Sequence, residues 1–304
     1  MEASVLPLST LLSEEMTPDL FARVKVALET PCERPWLPEL TEELAQRQWR
    51  ILYSEIGLSP STYGTARVIT RSPNGPRRIV ARLPRGLYER ELCCALQVEI
   101  LDKQFILSYE EAGVRFCTPA EIRGSNLLGQ LEEAATLLKF VEPLHTVMGQ
   151  LVRSVHLLDA GDDEYDVSFS EPHIPFTIFV SAPRCRAPNG ALRLAESLVH
   201  EVMHLQLSLI EQVVTIIKPN DGRYFSPWRA EYRNANGILH ALYVFRMIDC
   251  FFEALLKTEI CSDHSEYARR RRSEINVQID EVRGFSNSRE LTNIGQAFVS
   301  SLIR

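Results

Sequence analysis

The 304-residue sequence lacks any hydrophobic run that could cross a bilayer. No window of it approaches the ~20 consecutive apolar residues that a transmembrane helix needs. Its first residues also lack the basic segment with which a secretory signal peptide opens. Together these absences predict a cytoplasmic protein with no membrane partner.

An excess of positive charge is missing as well. The chain has 33 Lys and Arg against 40 Asp and Glu, a net charge of −7. Phosphate recognition needs a basic binding face, so no nucleic-acid partner is expected. One region departs from this balance, because six arginines lie between Arg67 and Arg85, around the turn-like segment Ser72–Gly75. A basic hairpin is predicted there, either as a solvated face or as a docking surface for an acidic peptide or leader segment.

The sequence also lacks the cysteine pattern of a disulfide-stabilised protein. Its seven cysteines are odd in number and scattered, and they include the adjacent pair Cys93 and Cys94, which geometry rarely allows to bond. This predicts reduced thiols rather than a disulfide framework.

Hydrophobic periodicity predicts an α+β protein that is mainly α-helical. Residues 1–120 form a first unit of helix and basic hairpin, with a capping box at Thr41, and are a candidate region for peptide recognition. Residues 121–304 form a second, catalytic unit. It opens with amphipathic helices from Asn126 to Leu158, interrupted near Pro143.

The second unit continues with a short apolar strand, Pro175 to Ser181, and a long helix from Ala191 to about Ile217. The strand is expected to expose an edge that could align an extended peptide. Another apolar helix is predicted from about Gly237 to Leu256. Beyond it, four consecutive arginines, 269–272, are most simply a solvated helix face, and the chain ends in a docking helix.

The clearest chemical signal is His200-Glu201-Val202-Met203-His204, inside the long apolar helix. Two histidines four residues apart lie on one helix face, so both imidazoles can reach one metal ion. The alternative is a pair of core histidines with hydrogen-bonded neighbours. Polar side chains follow the same face at steps of three and four residues and need polar partners if buried: Glu196, His200, His204, Ser208 and Glu211.

A catalytic site of this kind needs a third protein ligand. No histidine follows at the spacing of the extended zinc-peptidase motif, and Glu211, Glu231 and Glu253 are formally available. His240 is the better candidate, because it lies near the start of the next apolar helix, where a buried imidazole needs a partner. The sequence thus predicts a zincin-like helical metal core with His200, His204 and His240 as ligands.

Three blocks in this order, SLVHEVMHLQL, YFSPWRAEYR and NGILHALYVF, carry a resemblance to a family. They resemble the HExxH-motif peptide-modification proteins of bacterial ribosomal-peptide biosynthesis. The likeness covers roughly Pro172 to Arg304 and does not extend to the first 120 residues. Members of this family look like iron(II)- and 2-oxoglutarate-dependent hydroxylases of peptide side chains.

The resemblance implies an Fe(II) site open to 2-oxoglutarate and molecular oxygen, with a ribosomal precursor peptide hydroxylated at the β-carbon of one residue. Arg229 is then the first candidate to hold the distal carboxylate of 2-oxoglutarate, and Arg233 the second; either could instead pair with Asp221 or Glu231. Glu201 would orient a ligand or water.

Two other functions fit the same residues. In a zinc-dependent metallopeptidase, Glu201 would be the general base that activates metal-bound water. A metal-free binding protein could deliver a peptide to another enzyme through the basic hairpin.

Overall fold

A computed structural model of the chain provides the fold. The residues that it describes are 18–29, 36–56, 67–69, 78–80, 97–98, 103–159, 161, 166–170, 176–182, 189–219, 222–260 and 262–304.

Two helices open the described chain, α1 (Pro18–Glu29) and α2 (Pro38–Ile56). The helix α2 begins at Pro38, so the predicted capping box at Thr41 is wrong. Thr41 lies inside the first turns, where its hydroxyl donates to the carbonyl of Leu37 at 2.8 Å. Both helices pack into the same hydrophobic core as the C-terminal half of the chain. The division at residue 120 therefore stays a prediction.

Both strands of the predicted basic hairpin are present. They are β1 (Arg67–Ile69) and β2 (Arg78–Val80), and they pair antiparallel. Its turn, 72–75, lies outside the described residues.

A small mixed sheet supports the C-terminal half. Its strands are β3 (Gln97–Val98), β4 (Ser154–Leu158), β5 (Ser168–Ser170) and β6 (Thr177–Ser181), in the order β3-β4-β6-β5. The strands β3, β4 and β6 run parallel, and β5 is antiparallel to β6. The predicted apolar strand is β6, but it lies between β4 and β5 and is fully buried. The expectation that it exposes an edge is therefore wrong; β3 and β5 are the two outer strands of the described sheet, and β5 is the one that pairs with β6.

Four shorter helices connect and cover the sheet. They are α3 (Lys103–Glu110), α4 (Pro119–Gly124), α5 (Leu127–Lys139) and α6 (Glu142–Leu151). The interruption predicted near Pro143 is confirmed, because this proline stands in the first turn of α6, where its missing N–H is not needed.

The longest helices form the centre of the molecule. The HExxH sequence lies on α7 (Gly190–Glu211), which packs against α8 (Ala235–Leu255), and the hairpin of β7 (Arg223–Ser226) and β8 (Glu231–Asn234) connects them. Next come α9 (Ser262–Glu281), a 3₁₀ turn (Arg283–Asn287) and α10 (Asn293–Ile303).

Most side chains of α7 and α8 are buried because apolar residues occur on nearly all of their faces. With helices in the majority and one small mixed sheet, the predicted class, α+β and mainly α, is confirmed. Among the described residues, no helix combines the length and apolar character needed to span a membrane.

Candidate functional site

The three histidines singled out in the sequence lie side by side. His200 and His204 are one turn apart on α7, with their Nε2 atoms 3.1 Å apart. His240 comes from the second turn of α8 and lies against the other edge of the His204 ring, with the two Nδ1 atoms 3.0 Å apart. The rings of His204 and His240 stack with centroids 5.3 Å apart. The packing of α7 on α8 thus brings together residues 36 positions apart.

A carboxylate stands at the end of this row of rings. Oε2 of Glu211, in the last turn of α7, lies 2.9 Å from Nε2 of His240. An ionised carboxylate can only accept, so Nε2 of His240 donates and its Nδ1 is left as an acceptor. Nδ1–H of His204 then donates to His240, and Nε2 of His204 accepts from Nε2–H of His200. Each ring between Glu211 and His200 is oriented by this chain of hydrogen bonds.

The fit of a divalent metal ion can be judged from these nitrogens. Two imidazole nitrogens bound to one ion at about 2.0–2.1 Å lie about 3–3.4 Å apart, which matches the distance between the Nε2 atoms of His200 and His204. With an ion bound there, His200 would carry its proton on Nδ1 instead. His240 has the carboxylate partner that metal-ligating histidines usually have. The rings form a row, however, and among the described residues no group of three or more His, Cys, Asp or Glu side chains could hold an ion as it stands. The Nε2 atoms of His200 and His204 fit one ion, whereas His240 lies at the Nδ1 edge of His204, so a ring would have to turn for all three to share it.

Burial keeps the imidazoles of His200 and His204 neutral, the form in which histidine binds metals. Desolvation, together with the positive charges of Arg229 and Arg271, lowers the pKa of His200 to about 4. Desolvation also lowers the pKa of His204, and the other two histidines, Arg229 and Arg233 add to the effect. Both arginines named from the sequence are therefore close enough to act on the row electrostatically.

Glu201 lies between His200 and the sheet, with its Oε1 4.0 Å from Nε2 of His200. Its side chain is 2% exposed, and its Oε1 accepts a hydrogen bond of 2.7 Å from the hydroxyl of Ser168 on β5. Burial raises the pKa of Glu201 to about 7, while hydrogen bonds from Ser168 and Ser170 and the charge of Arg229 act against the rise. This carboxyl therefore connects the HExxH helix to the outer strand β5 and can hold or release a proton near neutral pH.

The polar side chains predicted along one face of α7 all have hydrogen-bond partners. Glu196 accepts from Tyr267 at 2.9 Å and from Arg271 at 2.7 Å, both on α9. Ser208 donates back to the carbonyl of His204 at 2.8 Å. These contacts join α9 to the helix that carries His200.

The arginine run of α9 is only in part the solvated face expected from the sequence. Arg269 and Arg270 are exposed. Arg271 pairs with Glu196, and Arg272 pairs with Asp249 of α8 at 2.8 Å. The interpretation is wrong for these two because a helix directs every third or fourth residue to the same face, and the run spans both faces.

The turn between β7 and β8, residues 227–230, packs on α8 through Trp228, close to His200. Trp228 stacks on Phe245 of α8, with centroids 5.3 Å apart and planes 1° apart. The same Phe245 meets the ring of His200 edge-on at 5.4 Å, and the guanidinium of Arg271 lies 5.7 Å from its centroid. These ring contacts fix the turn, and with it Arg229, beside the candidate site. The contact of Trp228 with Phe245 was not predicted from the sequence.

The two candidate arginines differ in their surroundings. Arg229 is exposed, and its side chain makes no hydrogen bond or ion pair with a described residue. Arg233 lies 3.6 Å from Glu231, one of the two partners considered from the sequence. The other, Asp221, lies outside the described residues. The Arg233 side chain also lies against the first turn of α8. A Cβ atom added at Gly237 would be 3.0 Å from its Nε.

The structure distinguishes the three glutamates that the sequence offered as possible third ligands. Glu211 contacts His240. Glu231 is beside Arg233, and Glu253 pairs with Lys257 at 2.8 Å and Arg272 at 3.1 Å. Only Glu211 of these three touches the histidines, and it does so as the partner of His240.

No protein-family model matches this chain, and no curated protein matches it at a significant level. The resemblance stated above therefore depends on the three sequence blocks themselves. All three contribute to the described site, since His200, Trp228 and His240 belong to different blocks.

Proposed function

We propose that this protein is an iron(II)- and 2-oxoglutarate-dependent oxygenase that hydroxylates a side chain of a ribosomally synthesised peptide, at the β-carbon of one residue. His200, His204 and His240 would hold the metal on a zincin-like helical core. The observation that carries the proposal is the combination of three imidazoles in one row, two of them kept neutral by burial, with an exposed arginine whose charge acts on them.

The donor set supports the metal. Neutral imidazole suits iron(II) and zinc alike, and three protein ligands on one side of an octahedral ion leave positions for a bidentate 2-oxoacid and oxygen. Glu211 would fix His240 in the orientation needed for binding, as outer carboxylates commonly do for ligating histidines.

The arginines support an anionic cosubstrate. The charge of Arg229 acts on His200, Glu201 and His204 together, so its guanidinium lies near all three. No described residue neutralises it. A guanidinium can bind a carboxylate through two parallel hydrogen bonds, which makes Arg229 the first candidate for the distal carboxylate of 2-oxoglutarate. Arg233 is second, because Glu231 already takes part of its charge.

Iron bound with 2-oxoglutarate would supply the redox chemistry, in which one atom of oxygen goes to the substrate C–H bond and the other to succinate, with release of carbon dioxide. The chain's own residues would hold the ligands and exclude bulk water from them. Glu201, buried and held by Ser168, would orient a group on the β5 side of the site. The precursor peptide and molecular oxygen are the proposed partners, and the cytoplasm the proposed location.

The test is anaerobic reconstitution with iron(II), followed by 2-oxoglutarate and then oxygen and candidate precursor peptides. We expect a visible charge-transfer band before oxygen is added, and afterwards succinate and a peptide heavier by one oxygen atom in mass spectrometry. Absence of the band, of succinate and of the mass gain would reject the proposal.

A zinc metallopeptidase is the second candidate. The position of Glu201 favours it, because a carboxylate 4.0 Å from His200 and hydrogen-bonded to the antiparallel strand β5 could act as general base on a peptide aligned by that strand. The same incubation separates the two functions, since a peptidase breaks a peptide bond without 2-oxoglutarate. A metal-free binding protein would instead purify without stoichiometric metal and lose nothing on His200→Ala.

A further inference from the structure

Two buried polar atoms in the hairpin beside the histidines have no hydrogen-bond partner among the described residues. One is Oγ of Ser226, the last residue of β7, whose side chain is fully buried. The other is Nε1 of Trp228, two residues further on in the turn. Leaving a buried donor unpaired is unfavourable, and folded proteins rarely tolerate it without a reason.

Three carboxylates of α7, in contrast, have hydrogen-bond partners. Glu196, Glu201 and Glu211 are all partly or fully buried, and each accepts a hydrogen bond from a named side chain. These two unpaired groups lie within three residues of each other along the chain, and the exposed Arg229 directly follows Trp228.

We propose that Ser226, Trp228 and Arg229 form one carboxylate-binding pocket, in which the hydroxyl and the indole N–H donate to the carboxylate that the guanidinium binds. This inference rests on the proposed function and deepens it, because it assigns the residues that select 2-oxoglutarate over a 2-oxoacid without a distal carboxylate. Ser226 and Trp228 act as ligand-binding residues, not as metal ligands.

The chemistry of a carboxylate suits these donors. Its two oxygens accept about four hydrogen bonds, which is more than one guanidinium fork supplies, so the hydroxyl and the indole N–H could donate to the positions that remain. The indole is fixed by its parallel stack on Phe245, and the hydroxyl by the end of a paired strand. Donors fixed in this way lose little side-chain entropy when the ligand binds.

The test compares the binding of 2-oxoglutarate and of 2-oxobutyrate, which lacks the distal carboxylate, to the full-length zinc- or manganese-loaded protein without oxygen. Trp228→Phe keeps an aromatic ring to stack on Phe245 and removes the N–H, and Ser226→Ala removes only the hydroxyl. The control is Trp36→Phe, because Nε1 of Trp36 is also buried and unpaired but lies at the start of α2. Calorimetry gives the dissociation constants.

We expect Trp228→Phe and Ser226→Ala each to weaken 2-oxoglutarate binding about tenfold, which corresponds to about 1.4 kcal/mol. Binding of 2-oxobutyrate should change by less than about twofold, and Trp36→Phe should leave both ligands unaffected. A merely structural role would weaken both ligands equally, and this result would overturn the inference.

Unchanged 2-oxoglutarate binding in both hairpin variants would also overturn it, while leaving the proposed function intact. If the unaltered protein binds neither 2-oxoacid, the proposed function fails and this inference fails with it.

Discussion

Replacing Glu211 tests the role of the carboxylate that ends the row of histidines. The Glu211 and His240 side chains are only 25% and 15% exposed, and the contact is 2.9 Å, so solvent screens this charge-assisted hydrogen bond weakly. Such bonds contribute about 1.5–3 kcal/mol and are roughly twice as strong as neutral ones. Glu211→Gln keeps an acceptor and should lose about half of this contribution, so the metal affinity should be about four- to thirteenfold weaker. Glu211→Ala should lose up to about a hundredfold.

Competition against a chromophoric chelator measures these affinities with zinc or cobalt. The matched control is Glu253→Gln on α8, because Glu253 pairs with Lys257 and Arg272 and does not touch the histidines. Its metal affinity should equal that of the unaltered protein. If Glu211→Ala binds metal as tightly as the control while circular dichroism shows a folded chain, the argument that Glu211 orients a metal ligand is refuted.

Three further predictions concern the same site. His240→Ala should abolish stoichiometric metal binding while His264→Ala retains it; equal metal contents by elemental analysis would remove His240 from the ligand set. Arg229→Ala should weaken 2-oxoglutarate binding at least tenfold with the metal retained, and an unchanged affinity in calorimetry would transfer the role to Arg233. Glu201 should make the metal-free protein less stable as pH rises, because its pKa is raised from 4.5 to about 7 and ionising it in the folded state becomes unfavourable over that range. At about 1.4 kcal/mol per pKa unit, Glu201→Gln should gain about 3 kcal/mol relative to the unaltered protein between pH 4.5 and 7; a pH-independent difference in urea unfolding would contradict the shift.

The helices that carry the site could be predicted from the sequence because their apolar periodicity is long and strong. The predicted second apolar helix, 237–256, corresponds to α8 (Ala235–Leu255), whose start is set by the side chain of Asn234 accepting from the N–H of Gly237 at 2.8 Å. The first was predicted to reach about Ile217, whereas α7 ends at Glu211. Apolar residues continue past that point, but Ile217 bridges to Leu291, a contact that local periodicity cannot reveal.

The parts that were missed depend on contacts distant in sequence. The strand β5 is three residues long and polar, so no pattern distinguishes it from a loop, although it supplies Ser168 to Glu201. Glu211 was recognised in the polar row of α7, but its partner on another helix could not be known. Four consecutive arginines do not show from the sequence which of them forms an ion pair. The position of α9 relative to α7 places Arg271 against Glu196.

The most direct test of the account is the metal stoichiometry of protein purified without chelators and loaded anaerobically with iron(II). We predict one ion per chain, lost on His200→Ala or His204→Ala while the thermal unfolding transition remains cooperative. A chain that binds no stoichiometric iron or zinc, or one that keeps its ion when both α7 histidines are replaced, would contradict the account.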